Sequence, residues 1–98
     1  MNSNDIKTYK LIITGKVQGV GFRYWFSNLA ISHRLNGYIK NLKNVDEVEA
    51  IVQGKINDIR KILEKSKVGP ELALVEDIIQ NEIFNDLIYS GFVVKYDN

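Results

Sequence analysis

Hydrophobic side chains in the first third of the chain change from an alternating spacing to a helical one. From Tyr9 to Val17, apolar residues recur mainly at every second position, which is the period of a strand with one buried face. Asn36 and Gly37 tolerate the left-handed conformation that ends helices, so we expect the helix that follows this strand to stop there. Its apolar residues recur three and four positions apart and are Phe22, Trp25, Phe26, Leu29 and Ala30.

The rest of the chain predicts four more strands and a second helix. A polar turn at residues 43–46 joins the first two of these strands into a hairpin. The second helix is expected to end at Gly69-Pro70, and residues 81–91 fit no clean period. The strands are expected at Tyr38–Leu42, Val48–Gln53, Val75–Glu82 and Phe92–Tyr96. The apolar face of the second helix is formed by Ile56, Ile59, Ile62 and Leu63.

The order of these elements predicts the fold class. Strand, helix, strand, strand, helix and strand combine two one-faced helices with a mostly antiparallel sheet that has one face to cover. We therefore expect an α+β, ferredoxin-like βαββαβ two-layer sandwich, with two helices on one face and a short extra C-terminal strand. The length of 98 residues suits a single domain, residues 1–98, with a core at about 9–96.

Charge balance and residue usage exclude several classes of function. The 13 basic and 12 acidic side chains leave a net charge of +1, without the basic face that nucleic-acid binding requires. The chain has no cysteine, which rules out disulfides, thiolate nucleophiles and cysteine zinc sites. No apolar run approaches the ~20 residues of a membrane span, and residues 1–5 show no signal-peptide pattern. We therefore expect a cytoplasmic protein with no nucleic-acid or membrane partner.

The segment Gly15–Arg23 is the strongest candidate for chemistry, because it lies where a strand passes into a helix. Glycines there allow a tight turn and let a ligand approach the backbone amides beside the positive end of the helix. Arg23 lies in the first helical turn, and its planar guanidinium can hold two phosphate oxygens at once. A simple turn with a solvated arginine fits the same residues, so both interpretations stay open. The Walker pattern is absent and the Rossmann fingerprint is incomplete, which argues against a nucleotide.

Asn41 is the second candidate, because it ends a predicted strand on the same face as Ile39. Its side chain could form a turn, or its amide oxygen could accept a proton from water while its nitrogen donates elsewhere. His33 is the only histidine. It has no second ligand at metal spacing, so we expect it to cap the first helix or to lie on the surface. Glu47 and Glu49 are expected on an exposed polar face of a strand.

Two strings of residues resemble the signatures of the acylphosphatase family. The first is Gly15-Lys16-Val17-Gln18-Gly19-Val20-Gly21-Phe22-Arg23, and the second is Gly37-Tyr38-Ile39-Lys40-Asn41. The resemblance extends from about Tyr9 to Tyr96. The chain differs from the family pattern at residues 42–47, which lack the usual glycine and are one residue longer, and in the unusually apolar segment before Phe92.

The resemblance implies hydrolysis of the carboxyl–phosphate anhydride of acyl phosphates, without a metal ion or another cofactor. By this resemblance, Arg23 binds the phosphate and Asn41 orients the nucleophilic water. The resemblance also implies that backbone amides of a loop cradle the phosphate. The residues of this loop are Gln18, Gly19, Val20, Gly21 and Phe22. Inorganic phosphate is then both a product and a competitive inhibitor, and we expect the enzyme to be a monomer.

Two other functions remain open for this fold. A non-catalytic binding module would need paired cysteines to carry a metal, or aromatic side chains with basic neighbours on the open sheet face to bind RNA. The sequence offers no cysteine pair, and its aromatic residues cluster on the first helix. The other alternative is an accessory domain like the one that begins large hydrogenase-maturation proteins. The chain ends soon after the predicted domain, and from this we expect a free-standing enzyme.

Overall fold

The computed structural model describes residues 5–96, which form a five-stranded sheet covered by two helices. In chain order the strands are β1 (Ile6–Lys16), β2 (Asn36–Asn41), β3 (Glu47–Lys55), β4 (Leu74–Glu82) and β5 (Phe92–Lys95). The helices are α1 (Phe22–Ser32), between β1 and β2, and α2 (Ile56–Ser66), between β3 and β4. This order is the predicted one, and the strand bounds differ from the predicted bounds by no more than three residues.

The sheet has the strand order β4-β1-β3-β2-β5. β3 pairs antiparallel with both β1 and β2, β4 pairs antiparallel with β1, and only β5 pairs parallel, with β2. The prediction of a ferredoxin-like α+β sandwich with an extra C-terminal strand is confirmed. The predicted domain of residues 1–98 extends further, since residues 1–4 and 97–98 lie outside the described range. Within residues 5–96, neither helix is long and apolar enough to cross a membrane.

One face of the sheet and the apolar faces of both helices enclose a common core. The alternating residues of the strands bring every second side chain to this face, where α1 and α2 cover them. Full burial of each large apolar side chain contributes about 1.5–3 kcal/mol to folding. The core contains Leu11, Ile13, Ile39, Val48, Ala50 and Val52 from the strands, with Phe22, Phe26, Ala30, Ile59 and Ile62 from the helices. The inner face of β2 is therefore anchored beneath α1 as far as Ile39.

Residues 83–91 have no regular structure and connect opposite edges of the sheet. β4 lies at one edge and β5 at the other, so the chain between them has to cross the other three strands. The side chain of Gln53 holds this crossing in place. Its Nε2 donates to the carbonyl of Leu87 at 2.8 Å, and its Oε1 accepts from the amide of Tyr89 at 2.9 Å. This segment is held by individual hydrogen bonds and not by a repeating pattern of buried side chains, which explains why its sequence shows no clean period.

The predicted end of α1 at Asn36-Gly37 is wrong, because the helix ends earlier. α1 stops at Ser32, and Arg34 takes the left-handed conformation, with φ 59°. Leu35 is only 2% exposed, so the chain has to reverse before it in order to bury that side chain. Asn36 and Gly37 then belong to β2.

The predicted exposure of Glu49 is also wrong, since this side chain is only 9% exposed. β3 is the central strand, so residues of both neighbouring strands flank its outer face. Tyr38 donates a 2.8 Å hydrogen bond to Glu49, and the ammonium groups of Lys10 and Lys40 lie 3.4 and 3.8 Å from its carboxylate. Burial raises the pKa of the Tyr38 hydroxyl well above its usual range, and the hydrogen bond to Glu49 raises it further. Glu49 is therefore the buried member of a polar cluster whose other members are partly exposed.

We predict that Gly37→Ala lowers the free energy of unfolding by more than about 2 kcal/mol. Gly37 has a φ of 136°, and a Cβ on it would collide with the carbonyl oxygen of Ile51 in β3. The β2–β3 pair would have to shift to remove this contact, because a backbone atom cannot rotate away. Urea unfolding followed by circular dichroism measures the change.

Gly91→Ala is the matched control for this prediction. Gly91 also has a positive φ, 75°, but an added Cβ would meet no heavy atom within 4 Å. The free energy of unfolding of the Gly91→Ala variant should therefore fall by only about 1–2 kcal/mol, which is the cost of a left-handed conformation for a residue with a Cβ. Equal losses in the two variants would show that close approach of the strands at Gly37 has no part in its effect.

Candidate functional site

The loop between β1 and α1 turns on two glycines in the left-handed conformation. Gly19 has a φ of 73° and Gly21 a φ of 76°. A Cβ on either residue would meet nothing within 4 Å, so it is the backbone angle that requires glycine here. Gly21 is the N-cap of α1, with no side-chain hydrogen bond to the cap and no acidic residue in the first turn. The positive end of α1 is therefore not neutralised by a carboxylate of its own first turn.

Arg23, the second residue of α1, is held by the C-terminal segment of the described chain. Its Nη1 donates to the carbonyl oxygen of Lys95 at 3.0 Å. The guanidinium carbon lies 4.7 Å from the centre of the Tyr96 ring, a cation–π distance. These two contacts fix the side chain beside the loop, with N–H groups left over to bind an anion.

Asn41 is the last residue of β2 and shares the inner face with Ile39, as predicted. Its Oδ1 is buried and accepts no hydrogen bond from any residue within 5–96. Leaving a buried acceptor unpaired costs about 1–3 kcal/mol, and such atoms are uncommon in folded proteins. The end of β2 therefore carries an acceptor whose hydrogen-bonding capacity is unused within the described chain.

A cavity of about 150 Å³ brings these groups together. Of the predicted site residues, Gly19, Gly21, Phe22, Arg23 and Asn41 line it, whereas Gln18 and Val20 do not. Among the described residues of the lining, Arg23 supplies the only permanent charge. Within residues 5–96, the lining consists of Val17, Gly19, Gly21, Phe22, Arg23, Tyr24, Asn41 and Tyr96.

Two tyrosines in this lining were not singled out by the sequence. Tyr24 lies in α1 outside its apolar face and is exposed. Tyr96 continues the alternation of Phe92 and Val94, which predicts a strand residue, although β5 ends at Lys95. Nothing in the sequence indicated that Tyr96 would lie against Arg23, since that contact depends on the pairing of β5 with β2.

The side chain of Gln18 turns away from the cavity and contacts the turn between β2 and β3. Its Nε2 lies 2.9 Å from the carbonyl oxygens of Leu42 and Glu47, and 3.2 Å from that of Asn44. The turn itself closes without a glycine, through a 3.1 Å hydrogen bond from the amide of Leu42 to the carbonyl of Glu47. Gln18 therefore links the β1–α1 loop to the turn that follows Asn41.

His33 caps the C-terminal end of α1, one of the two roles predicted for it. Its Nδ1 lies 3.5 Å from Asp58 of α2, a neighbour that the sequence did not reveal. Over the described range of 5–96, no three His, Cys, Asp or Glu residues form a group that could hold a metal ion.

The fold and the loop together define an α+β sandwich of the ferredoxin-like class, with a glycine turn before its first helix. Residues 9–94 match the family model described as acylphosphatase. The chain therefore belongs to the acylphosphatase family, as its two strings of residues predict.

Individual proteins agree with this assignment. The chain is 43% identical over 92 residues to an acylphosphatase of Vibrio vulnificus, covering 91% of this chain and 97% of that protein. The crystal structure of an acylphosphatase from Bacillus subtilis superposes with a TM-score of 0.87 at 32% identity, over 92% of this chain and 99% of that one. HypF of T. kodakarensis superposes with a TM-score of 0.82 at 34% identity, over 94% of this chain but only 12% of HypF.

Proposed function

We propose that the chain is an acylphosphatase, which hydrolyses the carboxyl–phosphate anhydride of acyl phosphates to a carboxylate and inorganic phosphate. The observation that carries this proposal is that Arg23 and Asn41 line one cavity with the glycines of the β1–α1 loop. The relatives named acylphosphatase, which match nearly the whole chain, support it. We also propose that a monomer is sufficient, because Arg23, Asn41 and the loop glycines already meet within a single chain.

In this proposal the phosphate lies against the β1–α1 loop and the guanidinium of Arg23. The left-handed glycines allow successive amide N–H groups of residues 18–22 to converge on one anion, beside the positive end of α1, whose first turn carries no carboxylate. The bond from Nη1 to Lys95 uses one donor of the guanidinium, and the remaining donors can hold two phosphate oxygens. Charge that develops on the phosphoryl oxygens is then stabilised by groups already in position.

Asn41 is proposed to hold the attacking water. Its buried Oδ1 has no partner among the described residues, so a water that donates to it would satisfy this acceptor. A water held at this point lies at the wall of the cavity that also contains Arg23. Fixing a nucleophile in this way removes much of the entropy cost of bringing it to the phosphorus.

The leaving group explains why no general acid is needed. An acyl phosphate releases a carboxylate, which is stable in water without taking up a proton. Phosphoryl transfer then requires mainly positioning and charge stabilisation from the protein. The guanidinium and the loop amides supply positive charge, so we propose that the reaction needs no metal ion.

A second candidate is a non-catalytic accessory domain within a larger assembly. The likeness to HypF favours it, because this chain matches only 12% of that much longer protein. An accessory domain of this kind would bind phosphate without turning over an acyl phosphate. Whether the isolated chain turns over an acyl phosphate therefore distinguishes the two candidates.

We expect the purified chain to hydrolyse benzoyl phosphate, followed by its ultraviolet absorbance, and to keep its rate in excess EDTA. Inorganic phosphate should raise the apparent KM without lowering kcat, because substrate and product occupy the same loop. Noncompetitive inhibition would put the phosphate site elsewhere. A folded chain that binds phosphate but shows no turnover would favour the accessory domain.

We predict that Arg23→Ala lowers kcat/KM by about 10²–10³-fold, as for loss of one transition-state donor. Arg23→Lys should recover little activity, because an ammonium cannot replace the bidentate contact of the guanidinium. Arg60→Ala, at an exposed arginine of α2, is the control and should keep the wild-type rate. A nearly wild-type Arg23→Lys would mean that guanidinium geometry is unimportant.

Asn41→Ala should instead lower kcat by about 10²-fold with little change in KM, because misplacing the nucleophile by ~1 Å has an effect of this size. Inhibition by phosphate should be unchanged, since Asn41 is proposed to contact water and not the phosphate. Asn28→Ala, at an exposed position of α1, is the control. An unchanged kcat in a folded Asn41→Ala variant would leave this residue with a structural role only.

A further inference from the structure

We propose that the side chain of Gln18 positions Asn41 by holding the β2–β3 turn against the β1–α1 loop. This inference rests on the proposed function, because it assigns Gln18 an effect on the water that Asn41 is proposed to hold. Gln18 is a positioning residue and not a catalytic one, since its side-chain amide contacts backbone carbonyls of residues 42–47. The backbone amide of Gln18 keeps its separate, proposed contact with phosphate.

The contacts of Gln18 span the whole turn. Its Nε2 donates to the carbonyls of Leu42 and Glu47, on the two sides of the turn, at 2.9 Å each. The carbonyl of Asn44, in the turn itself, lies at 3.2 Å. An amide nitrogen carries two hydrogens, so one of them is shared between two carbonyls. A single side-chain group therefore fixes three backbone groups relative to the loop.

The turn has two hydrogen bonds of its own to Asn44, from the amide of Glu47 to its carbonyl at 3.0 Å and from the amide of Asp46 to its Oδ1 at 3.1 Å, but it packs against little else. Residues 43–46 are all exposed. Besides Gln18, one backbone hydrogen bond ties the turn to β1, from the amide of Gly15 to the carbonyl of Asp46 at 2.9 Å. Removing the amide of Gln18 would leave that tether in place, so we expect the turn to move and not to unfold.

Movement of the turn would reach Asn41 directly. Leu42 is the next residue in the chain, and the planar peptide between them transmits a shift of one residue to the other. Oδ1 of Asn41 accepts no hydrogen bond from the described residues, so no such bond holds this atom in place. Its position is set by the backbone at the end of β2, which Gln18 holds through the carbonyl of Leu42.

Gln18→Met tests this, because methionine has a similar length and no donor. We expect kcat to fall about 10-fold, less than the about 10² expected for a full ~1 Å displacement. KM and the inhibition constant of inorganic phosphate should change less than about 2-fold, since the loop amides remain. Gln80→Met, at an exposed position of β4, is the matched control and should keep the wild-type kcat. An unchanged kcat, or weaker phosphate binding with kcat intact, would overturn the proposal.

A double-mutant cycle with Asn41→Ala tests whether Gln18 acts through Asn41. If it does, Gln18→Met should lower kcat by less than about 2-fold when Asn41 is already alanine, because residues that act as a unit are non-additive. The same 10-fold loss in both backgrounds would overturn the proposal.

Should Gln18→Met fail to fold, Gln18→Glu gives an independent test. The carboxylate of this variant faces the same carbonyls and cannot donate to them. As the pH falls and the carboxyl takes up a proton, it regains a donor, so the ratio of the variant kcat to the wild-type kcat should rise. A ratio that does not change with pH would contradict the proposal.

Hydrogen exchange separates failure of this inference from failure of the proposed function. In Gln18→Met, the amides of Leu42 and Glu47 should exchange faster, while those of α2 should be unchanged. This measurement requires no enzymatic activity. Unchanged exchange at both amides would disprove the role of Gln18, even in an active acylphosphatase. Faster exchange in a chain without turnover would instead leave the contact valid and the proposed function wrong.

Discussion

The antiparallel pairing of β3 with both β1 and β2 is the constraint on which the site depends. β3 lies between β1 and β2 and runs opposite to each. β1 and β2 therefore run in the same direction, and their C-terminal ends lie at the same end of the sheet. The β1–α1 loop follows the first of these ends, and Asn41 is the second. Two segments separated by a whole helix are thus brought to one cavity by the pairing of a third strand with both β1 and β2.

The core then makes this arrangement rigid enough to keep polar groups unpaired. Ile39, two residues before Asn41, is completely buried beneath α1, and Phe22 is buried at the start of that helix. These side chains anchor the two elements that carry Asn41 and Arg23. A buried acceptor at Asn41 that no residue of the described range pairs, and a helix end at Gly21 without a side-chain cap, each oppose folding modestly. Groups kept in this state can meet a ligand without first giving up a protein partner.

Much of the candidate site could be predicted from two short strings of residues, because its backbone chemistry is local. Gly19 and Gly21 lie at left-handed positions, and Arg23 follows in the first turn of the helix, so all three depend on spacing within a few residues. The partners of the side chains could not be predicted in the same way. Gln18 contacts the carbonyl of Leu42, 24 residues later, and Arg23 contacts a carbonyl 72 residues away.

The sequence by itself determined the order of strands and helices, the face of each that packs against the core, and the location of the glycine turn. These features follow from side-chain period and backbone preference, which act between near neighbours. Only the tertiary structure decided that Arg34 reverses the chain after α1, that Glu49 is buried, and that residues 83–91 cross the sheet. Each of these depends on which strands are adjacent, and strand adjacency is set by the packing of segments far apart in the chain.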